Sequence, residues 1–416
     1  MTTIRQANLS LHRLTTQRRE LEDRLHTPKR QRQSLPNFEI IQERAQSLAS
    51  VLRTSWNCAC QVQHGVSLRL EARMDETSDE ADTQEEGPMQ EPFRVLFQSN
   101  LQRVVGSGAG VKTTLWAWEE ADVQVTGQRS KPIGGVLASN EATVKNVRFA
   151  TSEKKVVKAV LNCRSETRSI NDLCSAISTL QGLQRDVCLQ LTEDKSAKQD
   201  HGVLIYPMIT LPSDTEHWFV STLDEVIRKG FARRDRLHLA VTLASSVLQL
   251  HCTPWLGNDW GTKSIQFIER PGVNHYRQPF VAWRSDQPLS SPSKAVPSIL
   301  TAIVKNEALF ALGVALIELW YGQTLDDLHK PEDGVQHSTD AQTAFITRFT
   351  TADRLADDLA SEAGGKYSDA VRRCIRCNFH TRASSLADVQ FQNAVYRDVV
   401  AQLKINHDFL FEDEEP

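Results

Sequence analysis

Asp259 and Ser264 are the residues of this 416-residue chain with the clearest potential for chemistry. Both lie between a predicted helix that ends at Leu250-His251 and a predicted strand, Ile265-Gln266-Phe267. A carboxylate such as Asp259 could orient a hydroxyl nucleophile during phosphoryl transfer, and a side-chain oxygen such as that of Ser264 could contact a metal ion. The segment therefore has the residue types of a phosphoryl-transfer loop.

The spacing of this loop resembles that of protein kinases, in which a helix ends in Leu-His, a short linker follows, and His-Arg-Asp comes next. Here the linker is Cys252-Thr253-Pro254-Trp255-Leu256, and Gly257-Asn258-Asp259 stands in the place of the motif. In the same register Gly261 replaces the catalytic-loop Lys, and Ser264 replaces the metal-binding Asn. Only Asp259 keeps a catalytic identity.

Other groups that a kinase needs are missing from the sequence. Residues 279–283 occupy the place of the strand that leads to Asp-Phe-Gly, but that triplet, which supplies the main Mg²⁺ carboxylate, occurs nowhere in the chain. Ala308 stands where kinases have the Asp that holds the catalytic loop. Lys158 resembles the phosphate-pairing Lys of a kinase strand, although we favour a surface lysine. Without the metal carboxylate, the transferring phosphoryl group loses its main electrostatic counterweight.

A glycine-rich segment at residues 106–113 has a second, weaker phosphate-binding interpretation. Glycines let backbone N–H groups approach an anion, but Val111 stands where the Walker pattern requires Gly before Lys-Thr. A kinase glycine loop would need its third Gly one position further on. We therefore favour a flexible hairpin turn.

Cys374 and Cys377 form a Cys-x-x-Cys motif that in other settings binds zinc or does redox chemistry. Here they share a predicted helical face with Ala370 and Val371, and a second ligand pair is not close in sequence. Core packing is the favoured interpretation, so the sequence predicts no metal site. A Gly-x-Ser-x-Gly elbow is also missing, which leaves hydrolase chemistry without support.

Composition narrows the classes of partner. The chain is 40% apolar and 24% charged, with a net charge of −4 and a pI near 6.3, so charge gives no argument for nucleic acid or anionic membranes. Its 8 cysteines are scattered, which favours reduced thiols inside the cell. The longest apolar run, residues 308–317, is half of the ~20 residues that a membrane span needs. We expect a cytoplasmic protein without a membrane span, with a nuclear location left open.

Hydrophobic periodicity divides the chain into four parts. Residues 1–36 contain an amphipathic helix, 11–25, and a basic linker; the helix packs on its own domain or binds a partner. Residues 37–150 are predicted to form a helix and a β-rich lobe with a disordered acidic loop at 75–91, for which binding to a partner is the alternative. Residues 151–404 are predicted to form a helical lobe, and 405–416 an acidic tail.

The individual elements behind this division are as follows. Helices are predicted at 38–56, 170–180, 236–250, 307–322 and from Ser385 onward, and the helix at 307–322 is expected to be the central core helix. Strands are predicted at 62–70, 93–97, 115–118, 144–149 and 265–267. The expected fold is α+β and kinase-like, with a small N-terminal lobe of antiparallel strands and a larger, mainly helical C-terminal lobe.

Several segments together resemble a family of fungal proteins that carry a kinase-like domain of unknown function. The segments are 68–70, 93–97, 148–150, 173–177, 244–256, 307–319 and 370–379. The similarity runs from about Phe38 to Leu403. This family often occurs beside HeLo-type or prion-inhibition-and-propagation domains linked to heterokaryon incompatibility and cell death. Only the short helix 11–25 precedes the shared region, so we expect no complete HeLo bundle.

The sequence thus predicts a non-catalytic, pseudokinase-like scaffold or regulatory module that binds protein partners and needs no cofactor. Two alternatives remain. One is a divergent ATP- and Mg²⁺-dependent kinase that uses Asp259, with Lys158 and Ser264 as weak candidates for nucleotide binding. The other is a nucleotide-binding regulatory module without turnover.

Overall fold

The computed structural model describes residues 37–56, 58, 64–73, 91–99, 118–126, 166–180, 185–192, 202–209, 214–257, 260–273, 275–284, 304–381 and 383–411. The predicted N-terminal helix 11–25, positions 75–90 of the predicted acidic loop, the glycine-rich segment and the predicted strand 144–149 lie outside the described residues.

The described strands form one sheet. Their bounds are β1 His64–Arg69, β2 Phe93–Ser99, β3 Trp118–Thr126, β4 Glu166–Ser169, β5 Val187–Thr192, β6 Gly202–Pro207, β7 Phe219–Thr222, β8 Ile265–Glu269 and β9 Phe280–Arg284. The order across the sheet is β4-β5-β6-β3-β2-β1-β9-β8-β7, and each neighbouring pair is antiparallel except β4 with β5. The antiparallel strands predicted at 62–70 and 93–97 are confirmed as β1 and β2.

Strand β3 differs from the strand predicted at 115–118. It begins at Trp118 and continues to Thr126, between β2 and β6. The sequence pattern did not predict this strand because it contains three carboxylates, which are depleted in strands. They are Glu119, Glu120 and Asp122. In the structure each of these carboxylates pairs with an arginine, so burial in the sheet leaves none of the charges uncompensated.

The sheet extends across the boundary predicted at residue 150. Strands β1 to β3 precede that residue, and β4 to β9 follow it, yet β3 pairs with β6 and β1 pairs with β9. Residues 151–284 therefore supply six of the nine described strands, one of which includes the strand predicted at 265–267, although a mainly helical lobe was predicted for this range. From residue 304 onward the described chain is mainly helical. The fold is a mixed helix and sheet arrangement.

The described helices pack against the sheet and against one another. Their bounds are α1 Phe38–Thr54, α2 Leu173–Leu180, α3 Leu223–Lys229, α4 Arg233–Leu250, α5 Glu307–Tyr321, α6 Ala341–Glu362, α7 Gly364–Arg376, α8 Val389–Val395 and α9 Ala401–Phe411. Helix α4 contacts α1, α5 and α9, and α7 contacts α5, α6 and α9. None of the described helices combines the length and apolar character needed to cross a membrane.

Helices α1, α4 and α5 confirm the elements predicted most strongly from periodicity. The side chain of Asn37 caps α1 by accepting the Ile40 N–H at 3.2 Å. Asn306 caps α5 by accepting the Leu309 N–H at 2.9 Å. Gly322 ends α5 in the left-handed conformation at φ 66°, as predicted for a C-cap glycine. Residues 308–319 of α5 are all buried, so this helix is central to the core.

Two local predictions near the C-terminus need correction. Cys377 is buried but does not continue the helical face of Cys374; it is the left-handed C-cap of α7 at φ 47°. The last helices do not begin with Ser385 as the cap of a capping box. Asp388 is the N-cap of α8, and its carboxylate accepts the Phe391 N–H at 2.9 Å. Residues 405–411 of the predicted tail continue α9.

Candidate functional site

The one candidate for a catalytic residue, should the protein be active, is outside the described part of the chain. This candidate is Asp259, and the weak candidate Lys158 also falls there. Ser264 is described, at the end of a 3-10 turn, Thr262–Ser264, directly before β8. Its hydroxyl accepts the Gly261 N–H at 3.4 Å, which closes the turn locally. The structure therefore ties Ser264 to its own loop.

A tryptophan joins this loop to the central helix. Trp260 is buried, and its indole Nε1–H donates to the carbonyl oxygen of Ala308 at 3.2 Å. The resemblance to kinases predicted that Ala308 stands in the place of the Asp that holds their catalytic loop. The loop is thus attached to α5 through an uncharged hydrogen bond, with a large apolar side chain packed at the contact.

A buried carboxyl group lies near the end of α5. Glu318 accepts the Leu325 N–H at 2.9 Å. Burial raises the pKa of Glu318 above its usual value because the charged form loses its hydration; the hydrogen bond from Leu325 and the charge of Arg348 act in the opposite direction. Glu318 therefore holds the turn after α5 against the helix and has a structural role.

The sheet curls so that distant strands face each other. Three strands, β2, β1 and β9, separate β3 from β8 in the sheet order. Nevertheless Arg270, just after β8, places Nη1 3.0 Å from Oε2 of Glu120 on β3. The guanidinium of Arg94 on β2 donates two hydrogen bonds to the carboxylate of Asp122, at 2.5 and 3.1 Å. Its Nη1 also lies 3.5 Å from Oε1 of Glu120. These four side chains form a charged ladder across the concave face of the sheet.

An apolar cluster fills the concave face beside the ladder. Leu96 on β2, Trp118 on β3, Ile268 on β8 and Phe280 on β9 are all buried and pack together. Trp218 packs on this cluster, with its ring centroid 6.1 Å from that of Trp118, and the Arg270 guanidinium lies 4.3 Å from the Trp218 ring. The concave face is therefore occupied by the side chains of the protein itself.

The opposite face of β3 carries a second ion pair. Side chains alternate along a strand, so Glu119 points away from the ladder. It accepts a hydrogen bond from Arg185, which also donates to the carbonyls of Met208, at 2.7 Å, and Leu180, at the end of α2, at 3.2 Å. None of the nine described strands contains a lysine. The strand-borne phosphate-pairing lysine of kinases therefore has no counterpart on them.

A separate cluster brings together three metal-ligating side chains. The Sγ of Cys58 lies 3.0 Å from Nε2 of His64, and the ligand atoms of Cys58, His64 and Cys174 all lie within 4.8 Å of one another. His64 and Cys174 are buried, and Cys58 is partly exposed. Burial lowers the pKa of His64, and the nearby charge of Asp172 partly offsets this effect. Among the described residues this is the group able to hold a metal ion.

Sequence reasoning missed both the ladder and the Cys-His-Cys cluster. Cys58 and His64 are close in sequence, but Cys174 belongs to a distant helix, so no ligand spacing revealed the set. Cys374, which the sequence did single out, is a core residue: burial raises the pKa of its thiol well above the usual range. The available signal was Cys58 shortly before a histidine that opens a strand.

Comparison with known protein families assigns the chain to one of them. Residues 37–409 match the model of a family described as Domain of unknown function (DUF7580), and the chain belongs to that family. No curated protein is significantly similar to it. The family match covers the whole sheet and the helical part, and its description carries no activity.

Proposed function

We propose that this protein is a non-catalytic, kinase-like module that binds protein partners in intracellular signalling. Its resemblance to fungal incompatibility-associated proteins suggests the cellular context. The observation that carries the proposal is the filled concave face of the sheet, where Trp118, Ile268 and Phe280 pack together beside the Glu120–Arg270 ion pair.

The order of elements supports the kinase-like part of the proposal. Strands β1 to β3, helix α2, then β5 and β6 precede the long helix α4, as in a small lobe followed by a larger one. The candidate loop, the strands β8 and β9, and the buried helix α5 follow in the order that the kinase pattern predicts.

The filled face supports the non-catalytic part. In a kinase-like fold the nucleotide cleft lies between the lobes, next to the catalytic loop. Strand β8 follows that loop directly, and here its Ile268 contacts the cluster of Leu96 and Trp118 from β2 and β3. A nucleotide would have to displace buried aromatic side chains and separate Arg270 from Glu120. Both changes oppose binding.

The charges on the strands also support a non-catalytic module. Phosphoryl transfer depends on cations that neutralise phosphate oxygens. Strand β3 instead carries Glu119, Glu120 and Asp122, and the arginines near them are already paired. Ser264 is held within its own turn. Removal of one stabilising group commonly lowers an enzymatic rate by about 10²–10³, and several are missing here.

The test is an activity assay on the full chain. Purified protein is incubated with radiolabelled ATP and Mg²⁺ or Mn²⁺, and ATP hydrolysis and autophosphorylation are followed, with Asp259→Asn as the matched variant. We expect neither preparation to exceed the rate without protein. Metal-dependent transfer that Asp259→Asn abolishes would refute the proposal in favour of the divergent kinase.

A further inference from the structure

Cys58, His64 and Cys174 come from three separate parts of the fold. Cys58 follows the end of α1, His64 is the first residue of β1, and Cys174 lies in the first turn of α2. Their donor atoms nevertheless converge within 4.8 Å, with Cys58 Sγ and His64 Nε2 at 3.0 Å. Such convergence of two thiols on one imidazole calls for a chemical explanation.

The donor set indicates which metal the cluster would take. Thiolate and imidazole together suit zinc, whereas Mg²⁺ and Ca²⁺ prefer oxygen donors. With Zn–S bonds of about 2.3 Å and Zn–N bonds of about 2.0 Å, donors of a tetrahedral site lie roughly 3.5–3.8 Å apart. The donor atoms are 3.0 Å apart for Cys58 and His64 and at most 4.8 Å apart for the other pairs, so the tetrahedral distances lie within the observed range. Small side-chain rotations would bring the three atoms onto one ion.

Neighbouring groups hold two of the three donors, Cys174 and His64, in position. Asp172 is the cap of α2, and its carboxylate accepts the N–H of Cys174 at 3.2 Å and that of Ser175 at 3.1 Å. The ring of Trp56 stacks on His64, with centroids 4.5 Å apart and planes 15° from parallel. Surroundings that fix ligand orientation in this way are typical of metal sites.

A backbone hydrogen bond also joins α2 to the segment that leads to Cys58. The Leu173 N–H, at the start of α2, donates to the carbonyl of Ser55, just after α1, at 2.9 Å. The start of α2 is thus held beside the end of α1 without any contribution from a metal.

We propose that Cys58, His64 and Cys174 bind one Zn²⁺ ion, which ties the segment after α1 and the start of β1 to α2. Binding releases a proton from each thiol and leaves the sulfurs as thiolate ligands of the ion. The fourth tetrahedral position is taken by water or another exogenous ligand. A disulfide would not use the imidazole, and a thiol–imidazole hydrogen bond would not need the second thiol, so zinc accounts for all three residues together.

The test begins with the unmodified full chain. It is purified under reducing conditions without chelators, and its zinc content is measured by mass spectrometry; the metal-free protein is then titrated with Co²⁺. We expect one zinc per chain, a thiolate-to-cobalt charge-transfer band in the near ultraviolet, and strong visible bands of tetrahedral cobalt. EDTA should lower the melting temperature.

Variants then assign the ligands. Cys58→Ser, His64→Ala and Cys174→Ser should each weaken Co²⁺ binding at least tenfold and reduce or remove the charge-transfer band. The matched control is Cys188→Ser, which changes another buried cysteine outside the cluster and should bind as the wild type does.

Three results would overturn the zinc site. The first is the lack of a cobalt charge-transfer band in wild-type protein with reduced thiols. The second is that Cys188→Ser and Cys174→Ser weaken Co²⁺ binding equally. The third is a disulfide between Cys58 and Cys174 in the protein as isolated. The wild-type spectrum decides the matter even where a variant fails to fold. The outcome is independent of nucleotide binding, so failure of the zinc site and failure of the proposed function are distinguishable.

Discussion

The ion pair between Asp333 and Arg354 predicts a pH-dependent loss of stability. Asp333 ends a 3-10 turn after α5 and is buried, and Arg354 on α6 contacts both of its oxygens, at 2.7 and 2.8 Å. Hydrogen bonding to Arg354 lowers the pKa of Asp333 to about 2, from an ordinary value of 3.8. The difference corresponds to about 2 kcal/mol of stability.

The sign of the effect follows from the lowered pKa. A carboxyl group whose folded-state pKa is depressed contributes fully above its unfolded value, near pH 4, and loses that contribution as the pH falls through about 2. Asp333→Asn should therefore lower the free energy of unfolding by about 2 kcal/mol at pH 7. The difference in the free energy of unfolding between the variant and the wild type should decrease below pH 4. Urea unfolding followed by tryptophan fluorescence at several pH values measures both quantities.

A second carboxylate on the same arginine gives the control. Asp358 contacts Nη1 of Arg354 at 3.3 Å, but its side chain is 46% exposed. Asp358→Asn should change stability by at most about 0.5 kcal/mol, because solvent screens an exposed pair. The reasoning would be refuted if Asp333→Asn and Asp358→Asn lowered the free energy of unfolding equally. It would also be refuted if the loss of stability caused by Asp333→Asn stayed constant from pH 7 to pH 3.

Three further predictions concern stability. Trp260→Phe removes the indole hydrogen bond to Ala308 and should cost about 1–2 kcal/mol in urea unfolding; no change would mean that the loop is not attached there. Gly322→Ala should cost about 2 kcal/mol, because φ is 66° and the new Cβ would lie 2.5 Å from Nη1 of Arg236; an unchanged unfolding midpoint would contradict this. Deletion of residues 75–91 should leave the melting temperature nearly unchanged, since the acidic run was predicted from sequence to be disordered, and a large decrease would show that it packs.

Elements with strong local signals were predictable from the sequence. Helix α5 is apolar on all sides and has Asn306 and Gly322 at its two ends, so its position and burial followed from periodicity and capping. Helix α1 was predictable for the same reason, with Asn37 as its cap. In both cases residues adjacent in the chain carry the information.

Features that depend on distant partners were not predictable. Strand β3 was misplaced because Glu119 and Glu120 look unsuited to a buried strand until Arg185 and Arg270 are brought beside them by the fold. The same limit applied to the division at residue 150, since pairing of strands far apart in sequence leaves no local pattern. The Cys-His-Cys cluster depends on α2 packing beside the start of β1, which no motif records.

Direct measurement of nucleotide binding tests the central claim. Isothermal titration and thermal melting of the full chain with ATP, with and without Mg²⁺, should show neither heat of binding nor a shift in melting temperature, because the concave face of the sheet is filled by Trp118, Ile268 and Phe280. A ligand at 100 times its Kd would stabilise the folded chain by about 2.7 kcal/mol, which melting experiments resolve. Saturable binding of ATP with a matching rise in melting temperature would contradict the account.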